Sequence, residues 1–239
     1  MWEARFAARE GAIAEHLAAI EGYAGALEAL GGEPPPAPRW TQDWFPRLDA
    51  AAAYAMVRRF RPRRIVEVGS GHSTRFFARA AADAGATTRI TAIDQAPRAS
   101  LAGLDVELLR MPVQQAGDAP FAALAEGDFL VVDSSHVRRP GSDVDHLVRR
   151  VLPALPAGGW VHFHDIFLPD EYPGSWQWRR YNEQAAVACL VAGGEYVVEF
   201  ASAWLVSRRA RWLASGVLSR LPLVPGALES SLWLRKAWA

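Results

Sequence analysis

From Trp2 to Leu30 apolar side chains return mostly at steps of three and four, through Phe6, Ile13, Leu17, Ile20, Ala24, Leu27 and Leu30, until Gly31-Gly32 stops the pattern. The spacing predicts one amphipathic helix. The run Glu33-Pro34-Pro35-Pro36-Ala37-Pro38 cannot continue it and reads as an extended linker, which makes the first helix an expected appendage. A second helix is predicted from Pro46 to Phe60, ahead of Arg61-Pro62-Arg63-Arg64. Beyond it, apolar runs at 65–68, 89–93, 106–109, 129–132 and 159–163 alternate with helical stretches. Strands apolar on both faces and separated by helices imply a mostly parallel sheet covered on both sides, a doubly wound α/β domain. Two further runs, Glu195 to Phe200 and Ala203 to Ser207, are joined by little more than Ala201-Ser202. So short a link excludes a parallel crossover and predicts an antiparallel hairpin at the sheet edge. The apolar, Trp-rich tail from Arg211 onward, broken by Pro222 and Pro225, predicts one or two short amphipathic helices. The expected division is residues 1–45 for helix and linker, 46–207 for the sheet domain and 208–239 for a helical tail.

Composition narrows the partners. The chain has 239 residues, enough for one domain with a substantial core. Its 26 Lys+Arg balance 26 Asp+Glu, so no surplus of cations supports a broad nucleic-acid footprint. A single cysteine, Cys189, excludes an intrachain disulfide and a Cys-rich zinc site, and suits a reducing, cytoplasmic setting. No basic-then-apolar leader opens the sequence and no run of about 18 apolar residues occurs, so stable membrane anchoring is not expected. The apolar stripe of the first helix and the apolar tail make a homodimer the expected assembly.

The segment Ile65-Val66-Glu67-Val68-Gly69-Ser70-Gly71-His72-Ser73-Thr74 reads strand, tight turn, helix start. Gly69 and Gly71 allow close backbone approach to a ligand, and Ser73 or Thr74 can cap the helix behind them. Thr74 stands where a dinucleotide fingerprint wants a third glycine, and no Gly-Lys-Ser/Thr is present. The loop resembles the first motif of class I S-adenosylmethionine-dependent methyltransferases, Glu67-Val68-Gly69-Ser70-Gly71. The resemblance implies a seven-stranded sheet with a final antiparallel hairpin, and covers roughly residues 46–207. It implies S-adenosylmethionine as cofactor, with Glu67 toward the methionine amino group, Gly69, Ser70, Gly71 and Thr74 at the turn, and Asp94 on the ribose hydroxyls. His72 would face the methionine carboxylate or stabilise the loop.

Unusual residues collect where strands four and five end. Val132-Asp133-Ser134-Ser135-His136 and His162-Phe163-His164-Asp165 would project carboxylates and imidazoles into one crevice, the inventory of a facial metal site. The pattern resembles the metal-dependent O-methyltransferase and cephalosporin hydroxylase-like branch of the superfamily. By that resemblance Asp133, His164 and Asp165 are the metal ligands, Asp133 also borders the cofactor, and Asp133 and His136 are catalytic, His136 as general base. Magnesium is the branch's metal; a histidine at 164 brings manganese, iron and zinc forward, and leaves a metal-free site open. His162, deeper on the same strand, reads as a core histidine, and His16 and His146 as solvent-facing.

The long connection after strand five holds Tyr172, Trp176, Trp178, Arg179, Tyr181 and Asn182 among Pro169, Pro173 and Gly174, a shaped wall suited to selecting a small-molecule acceptor together with His136 and His164. With residues 133–136, 140–144 and 164–169, this region is similar to a bacterial group of class I methyltransferase-like proteins. O-Methylation is the expected reaction. An iron-dependent oxidative enzyme on the same fold and a non-catalytic accessory subunit stay open beside it.

Overall fold

The computed structural model describes residues 2–238. The N-terminal stretch forms three short helices, α1 (Trp2–Ala7), α2 (Glu10–Gly22) and α3 (Ala24–Glu28), where the periodicity predicts one. The buried stripe survives the breaks: Phe6, Ile13, Ile20 and Leu27 are each at most 1% exposed. At roughly 2 kcal/mol per buried side chain, this stripe makes the segment part of the core and not an appendage. It packs on α4 (Arg47–Phe60) and on the sheet. His16, expected on the solvent side, is buried against Phe60, Trp160 and Phe200.

Strands and helices then alternate through β1 (Arg64–Val68), α5 (His72–Asp83), β2 (Arg89–Ile93), β3 (Glu107–Leu109), α6 (Ala119–Ala122) and β4 (Phe129–Val132). Next comes α7 (Asp143–His146), which runs through a π-helical stretch, Leu147–Val151, into α8 (Leu152–Ala154). The chain ends with β5 (Trp160–Phe163), α9 (Glu183–Ala192), β6 (Tyr196–Ala201), α10 (Ser202–Arg208) and β7 (Leu232–Lys236). The seven strands order as β3-β2-β1-β4-β5-β7-β6. Strands β1 to β5 are parallel, and β7 is antiparallel to both its neighbours. This is the doubly wound, mostly parallel class that the alternation predicts. Strand order reverses between β1 and β4, so their carboxyl ends flank an open crevice.

The edge pair is a correction. Residues 203–207 lie in α10, and the partner of β6 is β7, from the tail expected to be helical. Leu232-Trp233-Leu234 is a short continuous apolar run, buried on both faces, which periodicity cannot separate from a helical turn. Its placement comes from a staple outside the sheet. Glu229 accepts from Arg47 Nε and Nη2, both at 3.0 Å, and from Leu48 N at 2.7 Å, at the start of α4. Asp49 accepts from Ser230 N at 2.9 Å and Ser231 N at 3.0 Å. The sheet therefore runs past residue 207, and the apolar stripe of the N-terminal helices is covered by the chain itself, while Trp212, Leu223 and Trp238 of the tail stay exposed. Lys236, the chain's single lysine, is buried at the end of β7, where its ammonium donates to Leu152 O at 3.1 Å and Pro153 O at 2.8 Å beside α8. No helix among the described residues is long and apolar enough to cross a membrane.

Candidate active site

The glycine turn is pressed against the end of β4. Gly69 has φ +83°, and a Cβ there would fall on the Asp133 carbonyl, so only glycine fits. Gly71 N donates to Thr74 Oγ1 at 2.9 Å, which closes the first turn of α5. Ser73 donates to one oxygen of the buried Glu67, whose other oxygen has no partner. Burial raises the Glu67 pKa to about 8; hydrogen bonds from Ser73 and Thr74 pull it down, and the charges of Asp133 and Asp94 push it further up. His72 opens α5, buried and with Nδ1 unpartnered; burial, then Arg39 and Arg75, lower its pKa to about 4. Asp94 follows β2 as expected, but much of its capacity is spent on the loop. Oδ2 accepts from Ser70 N at 2.7 Å and Ser70 Oγ at 2.9 Å, and Oδ1 from Ala96 N at 2.8 Å. A carboxylate has about four lone-pair sites, so one is left for a ligand. Gly69, Ser70 and Asp94 line a crevice of about 1080 Å³ that also touches Met111 and Gln114 and reaches Asp133 and Ser134; of the other expected cofactor residues, Glu67, Gly71, His72 and Thr74 do not line it.

At the ends of β4 and β5 the structure gathers the four predicted residues and adds two. His136 Nε2 lies 3.2 Å from Asp133 Oδ1 and 3.5 Å from Asp165 Oδ2. His164 Nδ1 lies 3.6 Å from Asp133 Oδ1 and 3.4 Å from Asp165 Oδ1. Behind each imidazole stands a buried carboxylate: Glu183 Oε2 is 2.9 Å from His136 Nδ1, and Asp49 Oδ2 is 3.2 Å from His164 Nε2. Each outer carboxylate accepts the ring N–H and turns the opposite nitrogen toward the Asp133–Asp165 pair. His136 and Asp165 both have φ +57°, a left-handed conformation that costs about 1 kcal/mol in a residue with a side chain. The first is held by α9, since Asn182 N and Glu183 N donate to His136 O at 3.0 and 3.2 Å.

Burial works against charging either histidine, yet the surrounding carboxylates outweigh it, so both pKa values are raised well above 6.5. Burial likewise opposes ionisation of Asp133, and the facing His164 and His136 reverse this and lower its pKa. The donor set fits a divalent cation. Ligand atoms of Asp133, His136 and Asp165 all lie within 4.8 Å of one another. Two ligands each about 2.1 Å from an ion lie about 3.0 to 3.4 Å apart at octahedral or tetrahedral angles, close to the separations seen for both imidazoles. Glu183 had a sequence signal, as the carboxylate that ends the Tyr181-Asn182-Glu183 run and opens α9. Asp49 had only its place as a lone acid among the alanines of α4.

A second cavity, of about 150 Å³, shares Arg98, Asp133 and Ser134 with the first and is lined by His136, His164, Asp165, Trp176, Arg179 and Tyr181. Of the predicted acceptor residues, Tyr172, Trp178 and Asn182 do not line it. The Tyr172 hydroxyl accepts from Gln184 N at 3.1 Å, and its ring stands edge-on to Tyr181. Trp178 is 76% exposed, and Asn182 clasps the Arg138 backbone through two hydrogen bonds. Four contributors had no signal in the sequence: Asp43, Trp44, Arg98 and the loop Gly226-Ala227-Leu228. His162 is fully buried, with Nε2 2.8 Å from Ser231 Oγ, the core histidine expected; burial, then the nearby His164, lower its pKa to about 3.

Residues 66–166 match the family model described as a methyltransferase domain. No curated protein matches the chain. Among solved structures, the apo form of CmcI is 15% identical, over 80% of this chain and 71% of its own, with a TM-score of 0.48. The SAH-bound methyltransferase PaMTH1 of Podospora anserina is 20% identical, over 80% and 78%, with a TM-score of 0.48. MycE, a methyltransferase from the mycinamycin biosynthetic pathway in complex with Mg and SAH, is 13% identical, over 76% and 47%, with a TM-score of 0.44. At these identities and TM-scores the likeness carries no argument about the ligand or reaction of this chain.

Proposed function

We propose that this protein is an S-adenosylmethionine-dependent methyltransferase that methylates an oxygen of a small molecule at a divalent-metal site. The carrying observation is that the glycine-turn crevice and the acidic, imidazole-lined cavity meet at Asp133 and Ser134, so a ligand in one abuts a ligand in the other. The crevice suits the cofactor in its lining: Gly69 and Ser70 expose backbone to it and Asp94 offers a carboxylate within it, while Glu67 lies buried beneath the turn and would meet an ammonium group only as its carboxylate. S-Adenosylmethionine supplies an activated methyl group. Asp94 and the Ser70 backbone hold the ribose end, and Glu67 the amino-acid end.

Asp133, Asp165 and His164 hold the cation, with Asp49 fixing the ring of His164. A divalent cation there supplies Lewis acidity toward the acceptor oxygen. The carboxylates that raise the His136 pKa include Asp133 and Asp165; with that charge offset by a cation bound to them, the neutral ring takes the acceptor proton at Nε2, and Glu183 keeps Nδ1 protonated and stabilises the imidazolium that results. Fixed side chains on both sides of Asp133 align acceptor and methyl group, which is the larger part of the rate enhancement. The setting is cytoplasmic, in keeping with the free thiol of Cys189. Calorimetric titration with S-adenosylhomocysteine is expected to show binding that weakens about tenfold in Asp94→Ala, as a charge-assisted hydrogen bond is lost. Absence of binding by either cofactor form, with tight uptake of iron, would replace this reading with oxidative chemistry.

One observation favours a different division of labour. The mutually close ligand set contains His136 in the place given above to His164. If His136 is a proton acceptor, His136→Gln keeps its metal content while turnover falls about a hundredfold; if it is a ligand, metal content falls with it.

A further inference from the structure

The acceptor cavity holds two arginines to which the methyl-transfer reading gives no task, Arg179 within it and Arg98 where it meets the glycine-turn crevice. Both line the cavity, from segments far apart in the chain. Arg47, Arg9 and Arg208 end on the carboxylates Glu229, Glu199 and Asp170, and the buried Arg75 on the Ser100 carbonyl. Arg179 instead donates to the Tyr181 hydroxyl at 3.0 Å, and its buried Nε has no partner among the described residues. Each guanidinium lies over an indole: Arg98 is 4.0 Å from the Trp44 ring centre and Arg179 4.2 Å from that of Trp176. Stacking occupies the faces of a guanidinium and leaves its in-plane N–H edges available, the edges that bind a planar oxyanion in a fork.

The geometry points to an acceptor that carries a carboxylate, gripped by Arg179 with Arg98 as second cation, while its nucleophilic oxygen lies at the Asp133–His136–Asp165 cluster. Asp43, Asp133 and Asp165 line the same cavity, and their charge disfavours a dianion such as a phosphate monoester. A hydroxy acid of modest size satisfies both ends: a single negative charge for the arginines and a hydroxyl for the carboxylate–imidazole cluster. The inference rests on the methyltransferase reading for the role of that hydroxyl, but not for the grip on the carboxylate.

The test is calorimetric titration of the full chain, saturated with S-adenosylhomocysteine and Mn(II), with salicylate, protocatechuate and mandelate, each beside its primary amide. The amide keeps size and shape and removes the charge. At least one acid is expected to bind about tenfold more tightly than its amide, the difference between a charge-assisted and a neutral hydrogen bond. Arg179→Met abolishes that preference, and Arg179→Lys restores part of it. Matching thermal unfolding of both variants and the parent excludes loss of fold, and Arg98→Met, on a different segment, provides an independent loss of preference. Equal affinity for acid and amide throughout, no binding by any acid, or a preference that survives Arg179→Met and Arg98→Met together would overturn the proposal and leave the arginines as props for Trp176 and Trp44. Binding of S-adenosylhomocysteine in the first step reports separately on the cofactor reading.

Discussion

The crevice beside β1 and the cavity beyond β4 and β5 share Asp133 but are made differently. The first is mainly backbone: a turn that only glycine can make, a helix start, and one carboxylate at the end of the neighbouring strand, its core contained between Glu67 and Asp94. The second is made of side chains drawn from α4, the two strand ends, the loop before α9 and the segment before β7, and each of its imidazoles leans on a carboxylate from another element. A site made of backbone needs few particular residues and is set by local conformation. A site made of side chains depends on several distant elements docking together, and tolerates less.

The sharpest test of that difference lies under the first site. Glu67 has a folded pKa of about 8 against an ordinary 4.5, so the folded chain gains protons over the unfolded one between those values. Its contribution is full below pH 4.5 and is lost as pH rises toward 8, by about 4 kcal/mol. Glu67→Gln is expected to remove this loss, and chemical denaturation of cofactor-free protein at pH 5 and pH 8 measures it; an unchanged pH slope would mean that the loop solvates Glu67 in solution.

Asp133→Asn strikes where the two sites meet. Metal affinity is expected to fall on the order of 100-fold, with weaker cofactor binding, measured by metal analysis after dialysis and by calorimetry. Loss in one site alone would separate two halves that the geometry joins. His162 gives a smaller effect beneath the second site. With its pKa lowered to about 3 it is neutral when folded, whereas the unfolded chain takes up a proton from pH 6.5 downward. Folding stability therefore falls on acidification, by about 2 kcal/mol from this residue at pH 5. His162→Gln keeps a partner for Ser231 and is expected to shrink the difference between pH 7 and pH 5 by that amount.

Legibility followed the same divide. The strands β1, β2, β4 and β5 could be placed within a residue because apolar runs between turn signals are a local property. The glycine turn was legible for the same reason. The ends of the chain were misread: a run as short as Leu232-Trp233-Leu234 has no period of its own, and its slot between β5 and β6 is set by Glu229, Ser230 and Ser231 docking on α4. Of the second site, Asp133, His136, His164 and Asp165 stand out as polar residues just beyond apolar strands. Asp49 and Arg98 do not, since nothing adjacent in sequence marks them.

Periodicity and turn chemistry by themselves determined the layered α/β class, the glycine turn after β1 and the strand ends where polar residues collect, because these follow from interactions within a few residues. Only the tertiary structure decided that the N-terminal helices join the core, that the tail closes the sheet, and that Asp49 and Glu183 orient the two imidazoles. Those outcomes depend on contacts between segments more than a hundred residues apart, or on a single buried hydrogen bond, which leave no repeating trace along the chain.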